Sequence, residues 1–165
     1  MEESFTIQEC YSYVYYLLRD RLWRTTINLC KNFEKRFGDS FFTFWKAYAI
    51  FREGNPSQAV TEIQKIESKK DLQWATIRAA IHYHKKCKHI DKGTVDSLIS
   101  MEKDFQRNPT ERAAVTAIYF ELMNEDLEKA GEIAKRTHFD SPMMMVAKGW
   151  CELISLDDTE CVTVF

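Results

Sequence analysis

The chain has 165 residues, of which 45% are hydrophobic and 29% are charged, and it contains only five Gly and three Pro. This length suits one domain with its own core, and the scarcity of helix breakers favours helices over a sheet. The formal net charge of −2 excludes the strong positive field with which nucleic-acid-binding and membrane-surface proteins attract their ligands.

The apolar periodicity predicts an all-helical chain. Apolar residues recur at spacings of three and four in one segment after another, and no segment alternates with a period of two over the length of a strand. Short connections make neighbouring helices antiparallel. The predicted helices run over about 4–19, 22–37, 41–53, 56–66, 71–86, 93–106, 110–124, 126–137 and 142–155.

Glycine and proline mark several of the predicted helix ends. Gly38 follows the second helix and suits the left-handed conformation in which many helices end. Ser40 is placed to cap the third helix, and Pro56 and Pro142 stand at first helical positions. These signals predict four helical hairpins and a final helix.

A weak internal repeat indicates how the hairpins stack. A small residue, a Gly and a later Ala recur with a spacing of about 33 residues, close to the tetratricopeptide period, most clearly at Ala47, Gly54 and Ala59. Repeated hairpins bury their apolar faces against their neighbours. We therefore predict an all-α, right-handed, tetratricopeptide-like α-solenoid of antiparallel helical hairpins over 1–157, followed by a short irregular tail over 158–165.

Five segments, taken in order, resemble the N-terminal region of the tetratricopeptide-repeat protein 21 family. The resemblance covers roughly residues 10 to 157, and the order of the segments is more specific than any one of them. The segments are FWKAYA at 44–49 with Glu53-Gly54 and Gln58-Ala59, AIHYHK at 80–85, AIYF at 117–120, DLEKA at 126–130 and AKGW at 147–150.

The resemblance implies a role in the cilium. Members of that family are long α-solenoids and subunits of the intraflagellar transport A complex, which carries cargo back from ciliary tips and brings membrane proteins in. For this chain, the resemblance implies a non-enzymatic scaffold with protein partners, located in the cytoplasm at the cilium or basal body. The family is much longer, so the chain would be its N-terminal arm, a short isoform or a diverged relative. The alternative is a free-standing tetratricopeptide adaptor that binds a peptide or partner helix.

The repeat register also predicts a binding surface. The inner helix of each hairpin lines the concave face of such a solenoid, and aromatic and Arg side chains there would form a groove for a peptide or partner helix. The residues expected on this face are Tyr15, Arg19, Tyr48, Arg52, His84, Lys85, Tyr119 and Met123. The hypothesis requires these side chains to be accessible on the concave side.

A metal site or a catalytic site has little support in the sequence. His82 and His84 would point about 200° apart on a helix, and His84 with Cys87 lacks the further ligands that zinc needs. A polar helix end, with lysines complementing the helix dipole, explains this cluster better. No phosphate loop, nucleophile elbow or His-Glu helix motif occurs. We expect no metal, no cofactor, no nucleic acid and no catalysis.

The cysteines and the termini carry weaker signals. The five Cys include no C-x-x-C pair, and the N-terminus lacks the pattern of a secretory signal, so we expect reduced thiols in the cytosol. No stretch approaches the roughly 18 apolar residues of a membrane span. Thr163, Val164 and Phe165 match the carboxyl-terminal pattern that some sheet-edge peptide readers accept.

Overall fold

The computed structural model describes residues 5–160 and, among them, the side chains of residues 5–155. In this stretch the chain forms nine α-helices and no strand, which confirms the predicted all-α solenoid of four hairpins and a final helix. The helices are α1 (Ile7–Arg19), α2 (Trp23–Phe37), α3 (Ser40–Arg52), α4 (Pro56–Gln64), α5 (Gln73–Lys86), α6 (Lys92–Gln106), α7 (Glu111–Met123), α8 (Leu127–Arg136) and α9 (Pro142–Glu160).

The last helix is longer than the sequence predicted. Helix α9 continues to Glu160 and so extends into the segment expected to be an irregular tail, 158–165. No Gly or Pro stands between Trp150 and Glu160 to end the helix earlier. Residues 161–165, with the carboxyl-terminal motif, lie outside the described part of the chain.

The helix ends follow local chemistry. Gly38 ends α2 in the left-handed conformation, with φ of 65°. Asp39, and not Ser40 as predicted, caps α3, because its carboxylate accepts a hydrogen bond from the Phe41 amide at 2.8 Å. Ser40 is the first residue of that helix. Pro56 opens α4 as expected.

The helices form two layers. The odd-numbered helices form an inner layer, in which α7 packs on both α5 and α9, and the even-numbered helices pack on its outer side. Helices α3 and α7 are buried around most of their circumference. In α3 every residue from Phe41 to Ile50 is buried. A helix that is apolar on all sides is stable only inside such a layer.

Helix α7 crosses the inner side of the first hairpins. The Phe120 ring lies 6.0 Å from Phe44 and 5.8 Å from Tyr48, both on α3. Tyr119 lies 4.6 Å from Tyr15 on α1, measured between ring centroids. The first and fourth hairpins are therefore in contact, and the array is tightly curved.

This curvature corrects the prediction for Tyr48. Its side chain is fully buried, with no exposed surface, because α7 covers it. The Tyr48 hydroxyl donates a hydrogen bond of 2.7 Å to the carbonyl oxygen of Met123, at the end of α7. Tyr48 supports the concave side of the array but does not form part of its surface.

A polar cluster joins α1 to the N-terminal ends of α3 and α7, at the other end of α7 from Met123. The Arg112 guanidinium on α7 donates to the Asp39 carboxylate at 2.5 Å and to the Asp71 carboxylate at 2.9 Å. The Tyr11 hydroxyl on α1 also donates to Asp39, at 2.6 Å. Burial opposes ionisation of Asp39, but hydrogen bonds from Tyr11 and the Phe41 amide and the charge of Arg112 hold its pKa below the usual value. The cluster joins α1, α3 and α7 independently of the apolar core.

One half-buried histidine, His82, makes the stability of the fold depend on pH. The His82 ring lies 5.0 Å from Phe51 and 5.6 Å from Phe120. Burial lowers the pKa of His82 to about 4, and nearby lysines, Lys86 first, act in the same direction. In the unfolded chain the His82 ring therefore binds a proton once the pH falls below its ordinary pKa of 6.5. In the folded chain it does so only once the pH falls to its lowered pKa of about 4.

We expect this difference to lower the free energy of unfolding by about 2 kcal/mol between pH 7 and pH 4.5, after allowance for partial solvent screening. In the variant His82→Gln, urea titrations at the two pH values should show a correspondingly smaller difference. The exposed His138 gives the control, and His138→Gln should retain the pH dependence of the original chain. Equal pH dependence of all three proteins would contradict the assignment to His82.

Candidate partner-binding groove

Five of the eight predicted binding residues line one groove on the inner side of the array. This inner groove has a volume of about 480 Å³, within the range of sites that hold a few side chains of a ligand. The predicted residues in its lining are Tyr15, Arg19, Arg52, Tyr119 and Met123. The remaining lining residues are Ser12, Tyr16, Leu18, Arg21, Trp23, Leu122, Glu125, Trp150 and Ile154.

Pairs of side chains one helical turn apart form the walls. Tyr15 and Arg19 come from α1, Tyr119 and Met123 from α7, and Trp150 and Ile154 from α9. Residues at i and i+4 lie above one another on the same face of a helix, so each helix presents a continuous strip. Arg52, at the end of α3, lies one turn after the buried Tyr48.

The remaining two predicted residues lie elsewhere. His84 is half-buried and Lys85 is exposed, both in the last turn of α5, and neither belongs to the groove lining. Helix α7 contacts α5 on one side and, through Tyr119, α1 on the other. It therefore separates the end of α5 from the inner groove, and these two predicted residues do not line that groove.

The two tyrosines of the groove walls, Tyr15 and Tyr119, make this part of the inner groove aromatic. Tyr15 packs on Tyr119 and, edge to face, on Trp45 at 5.5 Å between ring centroids. Burial raises the pKa of Tyr15, and the neighbouring Tyr119 adds to the effect. The Tyr15 phenol is therefore neutral, and the two tyrosines offer rigid apolar surface. Such surfaces dominate the energetics of protein interfaces.

The cations of the inner groove differ in how they are paired. The exposed Arg21 contacts Glu125 at 2.8 Å, and the exposed Arg19 contacts Asp20 at 3.1 Å. The half-buried Arg52 instead donates from Nη1 to two neutral oxygens, the Tyr48 hydroxyl at 2.9 Å and the Met123 carbonyl at 3.1 Å. Arg52 is thus a half-buried cation with neutral hydrogen-bond partners.

Two unusual backbone conformations occur at the rim. Arg21, between α1 and α2, has φ of 58°, and Glu125, between α7 and α8, has φ of 62°. Residues with a Cβ atom adopt this left-handed region at a cost of roughly 1–2 kcal/mol. Their side chains form the ion pair that joins the two turns. Both residues follow the C-cap of a helix, and the Leu22 and Asp126 amides donate to the carbonyl oxygens of Leu17 and Glu121, so the left-handed conformation is the one that ends α1 and α7.

The sequence missed part of the lining. Trp23, at the start of α2, belongs to an outer helix, so the repeat register assigned it to the opposite layer. Trp150 and Ile154 lie on α9, the predicted final helix, for which no binding residue was predicted. Their spacing of four residues on a predicted helix was the available sequence signal, and the structure shows that 42% of Trp150 is exposed.

Other kinds of site have less support. Among residues 5–155 no three His, Cys, Asp or Glu side chains are arranged to hold a metal ion. The His82 ring packs on aromatic residues, and the Cys87 thiol donates to the Tyr83 carbonyl at 3.4 Å. In the same part of the chain, no helix combines the length and the apolar character that crossing a bilayer requires.

Comparison with known proteins places these features in a repeat family. A family described as the tetratricopeptide repeat protein 21 N-terminal ARM repeat matches residues 14–163. Tetratricopeptide repeat protein 21A of Mus musculus is 29% identical over 125 residues, which are 74% of this chain and 10% of the mouse protein. The Homo sapiens protein of the same name is 25% identical over 119 residues, 72% of this chain and 9% of its own length. The chain thus spans about a tenth of the length of these relatives.

Proposed function

We propose, from the premise that the chain belongs to the tetratricopeptide repeat protein 21 N-terminal ARM repeat family, that it is a non-enzymatic scaffold for protein partners. The inner groove is the surface at which a partner segment binds. The convergence of four inner helices on one aromatic, arginine-bearing groove is the observation that carries this proposal. Aromatic and Arg side chains in a concave site are the usual anchors of protein recognition.

The more specific form of the proposal concerns the cilium. The resemblance to the N-terminal region of the family supports a role as an arm of an intraflagellar transport A subunit. In that role the chain would act in retrograde transport and in the entry of ciliary cargo, at the cilium or basal body. The partner in the inner groove would then be another subunit of the complex or its cargo.

A second candidate is a free-standing adaptor that binds a peptide or helix outside that complex. One observation favours it. Helices α1, α2, α3, α7 and α9, with the turn residues Arg21 and Glu125, together supply the lining of the inner groove, so a partner outside the complex has one continuous surface to bind. The two candidates share the same groove and differ in the identity of the partner.

Affinity purification of the tagged chain from ciliated cells distinguishes the candidates. Transport-complex subunits should co-purify with the original chain if it is an arm, and other proteins should do so if it is a free-standing adaptor. In either case Trp150→Ala should weaken binding of the partner about thirtyfold or more and reduce its recovery accordingly, because a Trp anchor contributes about 2 kcal/mol or more and each 1.4 kcal/mol is about tenfold.

The control for this experiment is Met101→Ala. Met101 lies on α6, outside the inner groove, and is 41% exposed, similar to Trp150 at 42%. Its replacement should leave recovery unchanged. If Trp150→Ala and Met101→Ala retain every partner equally, the proposal that the inner groove binds partners is wrong.

A further inference from the structure

We propose that the partner segment in the inner groove carries a carboxylate close to a large apolar side chain, and that Arg52 binds this carboxylate. This inference rests on the proposed function and specifies the chemistry of the partner. It follows from the hydrogen-bonding state of Arg52, from the charges of the groove and from its aromatic lining.

Two of the three nitrogens of the Arg52 guanidinium remain available to donate to a ligand. Its Nη1 group is occupied by the Tyr48 hydroxyl and the Met123 carbonyl. The Nε and Nη2 groups have no hydrogen-bond partner among the residues that the structure describes, and no carboxylate in that part of the chain pairs with Arg52. The Nε–Nη2 edge of a guanidinium matches the two oxygens of a carboxylate and binds them in parallel.

The position of the guanidinium is fixed in advance. Its central carbon lies 5.0 Å from the centre of the Trp23 ring and 5.9 Å from that of Tyr48. With the Nη1 hydrogen bonds, these stacking contacts hold the planar group in one orientation. A carboxylate that binds there does not need to order a flexible side chain, so the binding loses less entropy.

The charges and the apolar surface of the inner groove select the rest of the partner. Of the three arginines in the lining, Arg19 pairs with Asp20 and Arg21 with Glu125. The positive charge of Arg52 has no such carboxylate partner among the described residues, and it favours an acidic segment over a basic one. The exposed Tyr16 and Trp150, 47% and 42% accessible, offer apolar surface on the walls. A segment with one acidic residue and a neighbouring Phe, Leu or Trp would satisfy both features.

Selection from a random library of short displayed peptides, with the full chain as the immobilised target, tests the inference. Selected peptides should be enriched in Asp or Glu within one helical turn of a large apolar residue. In synthetic versions, replacement of the acidic residue by its amide should weaken binding about tenfold, the value of one hydrogen-bonded charge. Peptides without acidic residues, or an amide version that binds equally well, would overturn the inference.

Substitutions in the chain identify the residue that binds the carboxylate. In Arg52→Gln the acidic peptide and its amide version should bind equally weakly, whereas Arg24→Gln should preserve the tenfold preference. Arg24 is exposed and pairs with Glu53, and neither residue belongs to the groove lining. A tenfold preference that persists in Arg52→Gln would show that another group binds the acid.

A third variant separates a loss of binding from a loss of structure. Arg52 also holds the end of α7, so its replacement could loosen the fold. Trp150→Ala, on the exposed wall, should weaken the binding of both peptides to the same extent and retain the ratio between their affinities.

If peptides bind in the inner groove without an acidic preference, this inference fails and the proposed function stands. If binding of the selected peptides is insensitive to both Trp150→Ala and Arg52→Gln, the inner groove is not the binding surface and both fail.

Discussion

Phe120→Ala is expected to lower the free energy of unfolding by about 3–5 kcal/mol, because it removes a buried ring and leaves a cavity in the core. Phe120 is 1% exposed. Its ring contacts Phe44 and Tyr48 on α3 and His82 and Tyr83 on α5. The cavity would thus lie where α7 crosses the inner side of the first hairpins. Urea denaturation monitored by circular dichroism gives the measurement.

The matched control for this prediction is Phe5→Ala. Phe5 precedes α1 and is 45% exposed, so its removal should change the free energy of unfolding by no more than about 0.5 kcal/mol. A similarly small effect of Phe120→Ala would mean that α7 does not pack across α3 and α5, and the tightly curved array would be wrong.

Arg78→Ala is expected to lower the free energy of unfolding by about 3 kcal/mol, because it leaves a buried carboxylate without its partner. Arg78 on α5 forms an ion pair with Glu121 on α7 and another, at 2.6 Å, with Glu102 on α6. Glu121 is only 5% exposed. Burial raises the pKa of Glu121, and the charge of Arg78 acts against that rise.

The loss of stability caused by Arg78→Ala should depend on pH. Without Arg78, the folded-state pKa of Glu121 rises further above the unfolded value. The folded chain then retains a proton that the unfolded chain releases, so the stability of the variant relative to the original chain falls as the pH rises. Denaturation at pH 5 and pH 8 should show the larger loss at pH 8.

A second substitution and a control make the assignment specific. Adding Glu121→Gln to Arg78→Ala should restore much of the lost stability, because no buried charge then remains at that position. Arg107→Ala should cost less than about 0.5 kcal/mol, since Arg107 is exposed and its contact with Asp104 is long, 3.9 Å. If Arg78→Ala behaves like Arg107→Ala, the ion pairs of Arg78 do not stabilise the fold.

The helices could be predicted from the sequence because their signals are local. Gly38 and Pro56 specify a helix end and a helix start by their own backbone preferences. The spacing of apolar residues indicates which face of each helix is buried. The cap of α3 was misassigned by one residue because Asp39 and Ser40 are both good capping residues, and only the geometry shows that Asp39 accepts the hydrogen bond.

The curvature of the array could not be predicted in the same way. Whether α7 crosses α3 depends on contacts between residues distant in the sequence, such as the hydrogen bond from Tyr48 to Met123. The repeat register places a residue on the concave side, but it does not say whether another helix covers it. For this reason Tyr48 proved to be buried, while Tyr15 and Arg52 remain in the lining of the inner groove.

The repeat register predicted the lining residues that come from inner helices but missed Trp23, which comes from an outer helix. Tyr15, Arg19, Arg52, Tyr119 and Met123 come from the inner helices that the repeat identifies. Trp23 reaches the groove from an outer helix because α2 begins at the rim, immediately after the turn at Arg21. A turn with a left-handed residue has no reliable sequence signal when that residue is not Gly or Asn.

Site-specific photo-crosslinking tests most directly the claim that a partner segment lies in the inner groove. The photoreactive p-benzoylphenylalanine would replace Tyr16, on the groove wall, or Met101, on α6, in the tagged chain that recovers a partner from cells. Both positions are exposed, at 47% and 41%. We predict that the partner crosslinks to position 16 and not to position 101. A partner that crosslinks to position 101 and not to position 16 would contradict the account.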